Sequence, residues 1–359
     1  MDYQNGILKV VRNIANQLAM DEKLEITVLS YMELGGKEKC HFSENIEVRT
    51  LGIPLNKKNK WRYFRMVPKL NEFFKSNSYD CCIVSGMEYG ISFFMAGIHR
   101  KVPVIGWEHL NFFKGPVFRL EWLGKRIAIK CFAGILTITK RDQALYLERK
   151  GKAKIFQIYN LVHWEEKQVP YNLKSTKIVS CGFLTEVKGF DMLIQVAKQC
   201  LPQHPDWSWD IYGEGIEKEN LQNLIKELQL DNQVFLKGYC DRMNEQYGQY
   251  SFFVLTSRME GMGMVMIEAQ NAGLPVVAFD VLCGPSDIIV DGVNGNLIPP
   301  FDIQTMADKI EYLMTHEDKR ESYSRQSRRC HEEMDSQVIV FRWKQMLKSI
   351  SEGNKIKYE

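Results

Sequence analysis

The chain has 359 residues, of which 45% are hydrophobic and 25% charged, with a formal net charge of +3. That length exceeds one compact core and suits two domains, and the balanced composition excludes a disordered or fibrous chain. No run of about 18 uninterrupted apolar residues occurs, so no membrane-spanning helix is expected.

In chain order, the opening MDYQNGILKV lacks the basic start and apolar run of a secretory signal. LEITVLS (24–30), DCCIVSG (80–86), VPVIGWE (102–108) and GILTIT (134–139) read as strands. So do IVSCGF (178–183), WSWDIYG (207–213), VFLKGY (234–239), SFFVLTS (251–257) and LPVVAFD (274–280). Amphipathic segments such as GFDMLIQVAKQC (189–200) and IEKENLQNLIKELQL (216–230) lie between them. Strand–helix alternation predicts parallel sheets with crossover helices, the doubly wound α/β class. A polar stretch at 165–177 marks a seam between two such domains, 1–165 and 166–334, followed by a terminal helix over 335–359 that returns toward the first. Ligands are then expected at the carboxyl ends of the strands, facing a cleft between the domains.

Nine cysteines, an odd number without a CxxC pair, point to free thiols in a reducing cytoplasm and away from a disulfide framework or zinc site. Charge is uneven. Residues 1–170 carry 27 Lys+Arg against 17 Asp+Glu, and the remainder 20 against 27. The first half therefore suits an anionic partner such as a membrane surface, although two domains can differ in charge without any partner. No nucleic-acid reader motif is present.

Three segments carry candidate chemistry. In CGFLTEVKGFD (181–191) a strand ends at Cys181–Gly182, and Lys188–Gly189 opens a helix whose free N–H groups and positive dipole end suit phosphate. An ordinary strand-to-helix turn with a surface lysine would read the same. In SRMEGMGMVMIEA (257–269), Glu260 sits in a loop with Gly261 and Gly263, and Glu268 lies about one turn inside the helix that begins near Met264. The glycines let backbone amides approach a ligand, Glu268 can hold a diol, and Glu260 can accept from sugar hydroxyls. A methionine-rich helix is also simply core. VIGWEHLNFF (104–113) places His109 at a strand end, where it could act on a hydroxyl or be structural.

The ordered set GFLTEVKGFD, YGEGIE, FLKGY, SRMEGMGMVMIEA, GLPVVAFD, CGPSDII and DGVNGNLIP resembles the family 4 retaining glycosyltransferases, densely over 178–315. NGILKVVRNIANQL, WEHLNFF, ILTITKRDQALY and IYNLV match more thinly in the first half, and the WEH and GPSDII segments are similar to the amylovoran and capsule branch. The resemblance implies a GT-B fold of two Rossmann-like domains and a nucleotide-diphosphate sugar as donor, held by the second domain. Glu268 would bind the ribose, Glu260 the transferred sugar, and amides around Gly261, Met262, Gly263 and Met264 the sugar and phosphates. Lys188, beside Gly182, would neutralise the diphosphate, and His109 would face the donor sugar from the first domain. Gly6 would occupy a glycine loop near the diphosphate. Gly213 belongs to the matching YGEGIE segment, and Lys237–Tyr239 would lie beside the base. No DxD-like acid pair stands in a matching position, so no metal or other cofactor is expected. The implied transfer is front-face, with the leaving phosphate taking the acceptor's proton.

Two departures stand out. The family's arginine after the strand-end glycine is Phe183 here, which leaves Arg258 or another cation to reach the diphosphate. The strand that normally precedes the glycine loop, the centre of the first sheet, has no counterpart before Asn5, so a hole is expected in that sheet. Those departures leave open an inactive nucleotide-sugar-binding paralogue; a GT-B sugar-nucleotide epimerase lacks the acid/base pair it would need. The segments at 57–75 and 112–132 interleave cations with aromatics and suggest docking to the inner leaflet, where the family's lipid-diphosphate-linked glycan acceptors reside. Packing of amphipathic helices on the sheet is the alternative.

Overall fold

The computed structural model describes residues 4–31, 41–53, 61–113, 120–162, 170–327 and 332–355. The chain divides into two units, Met1–Leu161 with Met334–Glu359, and Val162–Glu333.

The first unit opens with α1 (Gln4–Leu18), β1 (Thr27–Ser30), β2 (Glu47–Thr50), α2 (Arg62–Ser76), β3 (Cys82–Ser85) and α3 (Gly90–Met95). It continues with β4 (Val104–Trp107), α4 (Leu120–Cys131), β5 (Gly134–Thr137), α5 (Lys140–Leu147) and β6 (Lys154–Gln157). All strand pairs are parallel, but the sheet is in two parts: β1 with β2, and β3-β4-β5-β6 in that order. Among the described residues β1 and β3 each pair on one side only. Leu29 and Tyr31 nevertheless pack on the core that contains Val84 of β3, so both parts cover one interior. Among the described residues the first sheet is thus split between β1 and β3, where a gap is expected. Its consequence is visible in burial: β4 and β5 are buried at every residue, whereas β1 is only half-buried throughout.

Gly6 corrects one expectation. It lies in the exposed first turn of α1 and not in a loop, and a Cβ there would meet nothing within 4 Å. A glycine costs such a helix about 1 kcal/mol against alanine. The apolar stripe of α1 offsets that by packing Leu8, Ala15 and the neighbouring Ala19 against Ile26, Val28 and Ile46.

In the second unit come β7 (Lys177–Cys181), α6 (Phe190–Cys200), β8 (Ser208–Tyr212), α7 (Lys218–Glu227), β9 (Val234–Gly238) and β10 (Phe252–Leu255). Then follow α8 (Met264–Asn271), β11 (Val276–Phe279), α9 (Pro285–Ile288), β12 (Gly295–Ile298), α10 (Ile303–Thr315) and α11 (Glu317–Ser327). The six strands form one parallel sheet in the order β12-β11-β10-β7-β8-β9. The order reverses between β7 and β10, the switch point at which doubly wound sheets open a crevice at their carboxyl ends. Leu193, Ile194 and Ala197 of α6 and Ile310 and Leu313 of α10 pack on Ile178, Val254 and Val277 of the sheet.

The last helix, α12 (Ser336–Lys355), belongs to the first unit. Its Trp343 meets Trp107 edge to face, with ring centroids 4.9 Å apart, and Lys344 Nζ lies 2.6 Å from Asp21 Oδ2. Of the two basic–aromatic segments, 57–60 and 114–119 lie outside the described residues. In the described part, Tyr63, Met66 and Leu70 of α2 are buried, as a packing helix requires, while Trp61 and Phe64 stay exposed. No described helix is long and apolar enough to cross a membrane, and all seven described cysteines are free thiols.

Candidate active site

In the second unit the loops after β7 and β10, the two strands flanking the switch point, meet. The chain leaves β7 through Gly182, Phe183 and a single 3-10 turn at Glu186–Lys188, and enters α6 at Gly189. It leaves β10 through Thr256–Glu260 and a glycine loop, and enters α8 at Gly263. Lys188 Nζ lies 2.6 Å from Glu260 Oε1, the side chains being 17% and 7% exposed, and Ser257 Oγ donates to the same oxygen at 2.6 Å. A carboxylate and an ammonium are therefore presented together at the opening of α6, where the first N–H groups of a helix have no intrahelical acceptor.

Arg258 is committed elsewhere. Its guanidinium forms a bidentate pair with Asp191 (2.7 Å to each oxygen) and donates to the Glu186 carbonyl at 2.8 Å, and its own N–H donates to the Val187 carbonyl at 2.8 Å. That guanidinium holds the Asp191 carboxyl below the usual carboxylate range. Arg258 thus ties the two loops together in this structure and does not fill the place left by Phe183, which is 40% exposed beside Gly182.

Gly261, Met262 and Gly263 are buried, and Met264 is half-buried at the first turn of α8. Glu268 lies half-buried one turn further on. Burial pushes the Cys181 thiol up to about 12, and the Glu268 carboxylate adds to this, which puts Glu268 within electrostatic reach of the end of β7. Gly213 closes on Gly182 so tightly that a Cβ on it would sit 1.9 Å from the Gly182 carbonyl. Lys237, near the end of β9, lies 3.9 Å from Asp210, and the exposed Tyr239 donates to Asp241 at 3.2 Å.

His109 belongs to the first unit, on the loop after β4. Its Nε2 is 2.7 Å from Ser85 Oγ, and its ring centroid is 4.5 Å from that of Trp107. Burial pushes its pKa down from 6.5 to about 3. A shift in that direction keeps the imidazole neutral near pH 7, and in this structure it shares a hydrogen bond with Ser85. The linkage sign follows: below pH 6.5 the unfolded chain takes up a proton that the folded chain refuses, so stability is lost as pH falls from 6.5 toward 3. Between about pH 7.5 and 5.5 the wild type is expected to lose more Tm than His109→Gln, with a ceiling of about 1.4 kcal/mol per pH unit. Parallel melting curves for the two proteins would exclude a suppressed histidine.

Sequence reasoning brought Lys188 and Glu260 to neighbouring loops but did not foresee their direct contact. It also missed Ser257, whose bond to Glu260 is local, and Asp191 and Ser85, whose contacts show only when segments distant in sequence come together. The composition of SRMEGMG was the one available signal for Ser257, which sits three residues before Glu260.

Residues 4–166 match the family described as Glycosyltransferase Family 4, and residues 164–329 match Glycosyl transferases group 1. An uncharacterized glycosyltransferase of Haemophilus influenzae is 30% identical over 345 residues, covering 95% of this chain and 96% of that protein. The amylovoran biosynthesis glycosyltransferase AmsD of Erwinia amylovora is 28% identical over 174 residues, 48% of each chain. A crystal structure of Staphylococcus aureus TarM (a point mutant, in complex with Fondaparinux, alpha-GlcNAc-glycerol and UDP) superposes with a TM-score of 0.70 at 26% identity. That superposition covers 78% of this chain but only 58% of the TarM chain. With two α/β units built on parallel sheets and the Lys188–Glu260 pair at the switch point of the second, the chain belongs to the family 4 glycosyltransferases of the GT-B fold.

Proposed function

We propose that the protein transfers a sugar from a nucleoside-diphosphate sugar to a glycan acceptor with retention of anomeric configuration, in building a bacterial surface polysaccharide. The observation that carries this reading is the Lys188–Glu260 contact at the mouth of α6. Bond cleavage at the donor places negative charge on the leaving diphosphate and positive character on the sugar ring. Lys188 and the start of α6 answer the first, and Glu260 holds the hydroxyls of the second. Electrons of the breaking C1–O bond go to the leaving phosphate. The acceptor oxygen forms the new bond on the same face, and its proton passes to that phosphate. Glu268 holds the ribose diol, amides of the Gly261–Met264 segment face the sugar and phosphates, and His109 contributes a neutral hydrogen bond to the donor sugar.

Lys188 takes the part a divalent cation would play. A lipid-diphosphate-linked acceptor on the inner leaflet fits the exposed Trp61 and Phe64 beside the cations of α2, with the enzyme cytoplasmic and peripheral. Support for the donor class comes from TarM, crystallised with UDP.

The test is incubation with a panel of nucleotide sugars, with and without lipid-linked acceptor, reading nucleoside-diphosphate release and the anomeric configuration of the product. Release without a glycoside product, or an inverted anomer, would sink the reading. Phe183 favours weakened phosphate binding, because an apolar ring stands at the strand end where a cation would pair with the diphosphate. Phe183→Arg is expected to tighten donor Kd by about 10- to 100-fold, the worth of one charge-assisted contact. A donor titration showing equal or weaker binding would remove that explanation.

A further inference from the structure

Beneath the His109 loop lies a buried ionic cluster that the proposed mechanism does not use. Lys125 of α4 is 0% exposed. Its Nζ lies 3.0 Å from Glu108 Oε2 and 3.5 Å from Oε1 of the less buried Glu121, and it donates to the Asn111 carbonyl at 2.6 Å and the Phe112 carbonyl at 3.2 Å. Glu108, also buried, accepts from the Tyr146 hydroxyl at 2.9 Å and from the Leu110 N–H at 3.2 Å. Asp142 of α5 accepts from the Phe112 N–H at 2.7 Å, and the Asn111 side chain from the Phe113 N–H at 3.1 Å.

The backbone hydrogen bonds described for residues 110–113 therefore run to side chains. The strand ladder ends at the Glu108 N–H, which donates to the Leu136 carbonyl at 2.9 Å. Beyond that point the loop is held by side chains: Lys125 and Glu108, together with Asp142 and Asn111. Burying an ion pair is a poor way to gain stability, since an apolar pair of similar volume is commonly as stable or more so. What the pair supplies is direction. The ammonium takes two loop carbonyls and the carboxylate one loop N–H, so the loop has one shape. His109 lies inside that span, between Glu108 and Leu110, with its side chain toward Ser85 and Trp107.

We propose that Lys125 and Glu108 are positioning residues for the transfer reaction, holding the 108–113 loop so that His109 is presented in its working orientation. This rests on the role assigned to His109 above. It predicts that stability and turnover come apart when both charges are removed.

The experiment compares full-length wild type with His109→Ala, Lys125→Met, the double variant Lys125→Met/Glu108→Gln, and Tyr146→Phe. Read out are Tm and the kcat and KM for sugar transfer. Lys125→Met strands a buried carboxylate, and a clear loss of Tm is expected. The double variant is expected to regain most of that Tm while its kcat stays at least about tenfold down, close to His109→Ala, as misplacement of a positioned group allows. Donor KM should move less than kcat. Tyr146→Phe removes one hydrogen bond to Glu108 and keeps both charges, so a smaller loss of Tm than in Lys125→Met and a severalfold lower kcat are expected. Recovery of kcat together with Tm in the double variant would overturn the proposal. So would a Tyr146→Phe protein with wild-type kcat if the double variant fails to fold. Wild-type kcat in His109→Ala would instead overturn the role of His109 itself, and the positioning role would fall with it.

Discussion

Lys188→Met is expected to lower kcat by about 10²–10³-fold, the usual effect of removing one preorganised donor from developing negative charge. The methionine keeps most of the aliphatic stem, so the packing of the turn before α6 is retained and the change is one of charge. A second consequence follows from the 2.6 Å contact with Glu260, a carboxylate only 7% exposed. Without Lys188 that carboxylate keeps the Ser257 hydroxyl but loses its cation. A fully buried pair broken in this way costs about 3–5 kcal/mol. The partial exposure of Lys188 and the remaining hydroxyl bring the expected figure to about 2 kcal/mol. Adding Glu260→Gln removes the stranded charge and should restore most of the lost Tm without restoring turnover. The opposite pattern, turnover recovered along with Tm, would make the lysine a structural partner of Glu260 and end its assignment to the diphosphate.

The same residues show what the sequence could and could not convey. Nine strands are legible because β-branched and aromatic runs mark them, and inner ones such as FFVL and VVAF are buried at every residue. Three strands are not: EVRT, KIFQ and GNLI. EVRT and KIFQ lie at sheet edges, half-exposed and rich in charged or polar residues, so no apolar run marks them. GNLI opens with a glycine that must lie flat on β11, a Cβ there falling 2.0 Å from the Val276 carbonyl. Glu260, Lys188 and His109 stand out in the sequence only through the ordered motifs around them, because an acid, a cation or an imidazole at a strand end has structural uses as well. Lys125 is not legible. It stands in EWLGKRIAIK beside Arg126, and nothing in that run distinguishes a fully buried lysine from its solvated neighbour. Only the return of Glu108, Asn111 and Phe112 from another element makes the difference. Arg258 is the converse case: its sequence position suggests a phosphate ligand, and the fold pairs it with Asp191.

Gly189→Ala is expected to be one of the more damaging small substitutions in the second unit. Gly189 is the hinge between the Lys188 turn and α6, with φ at +65°, and a Cβ there would sit 2.1 Å from the Thr256 carbonyl. The left-handed backbone alone costs a non-glycine residue about 1–2 kcal/mol. Backbone cannot yield as a flexible side chain does, so forcing the Thr256 peptide away adds about 1–3 kcal/mol. A total near ~3 kcal/mol corresponds to a Tm lowered by roughly 6–12 °C for a unit of this size. Gly292→Ala is the matched control. Its φ is +74° and nothing lies within 4 Å of its Cβ position, so it carries the conformational cost alone. The difference between the two isolates the close approach of the two loops. That approach also joins the loops that carry Lys188 and Glu260, since Thr256 Oγ1 donates to the Gly189 carbonyl at 2.9 Å and Arg258 clasps Asp191 two residues further on. Pushing the loops apart separates Lys188 from Glu260. Donor turnover in Gly189→Ala, measured well below its Tm, should therefore fall much further than in Gly292→Ala. Equal losses of Tm and of turnover in the two variants would mean that the proximity of these loops contributes nothing to either.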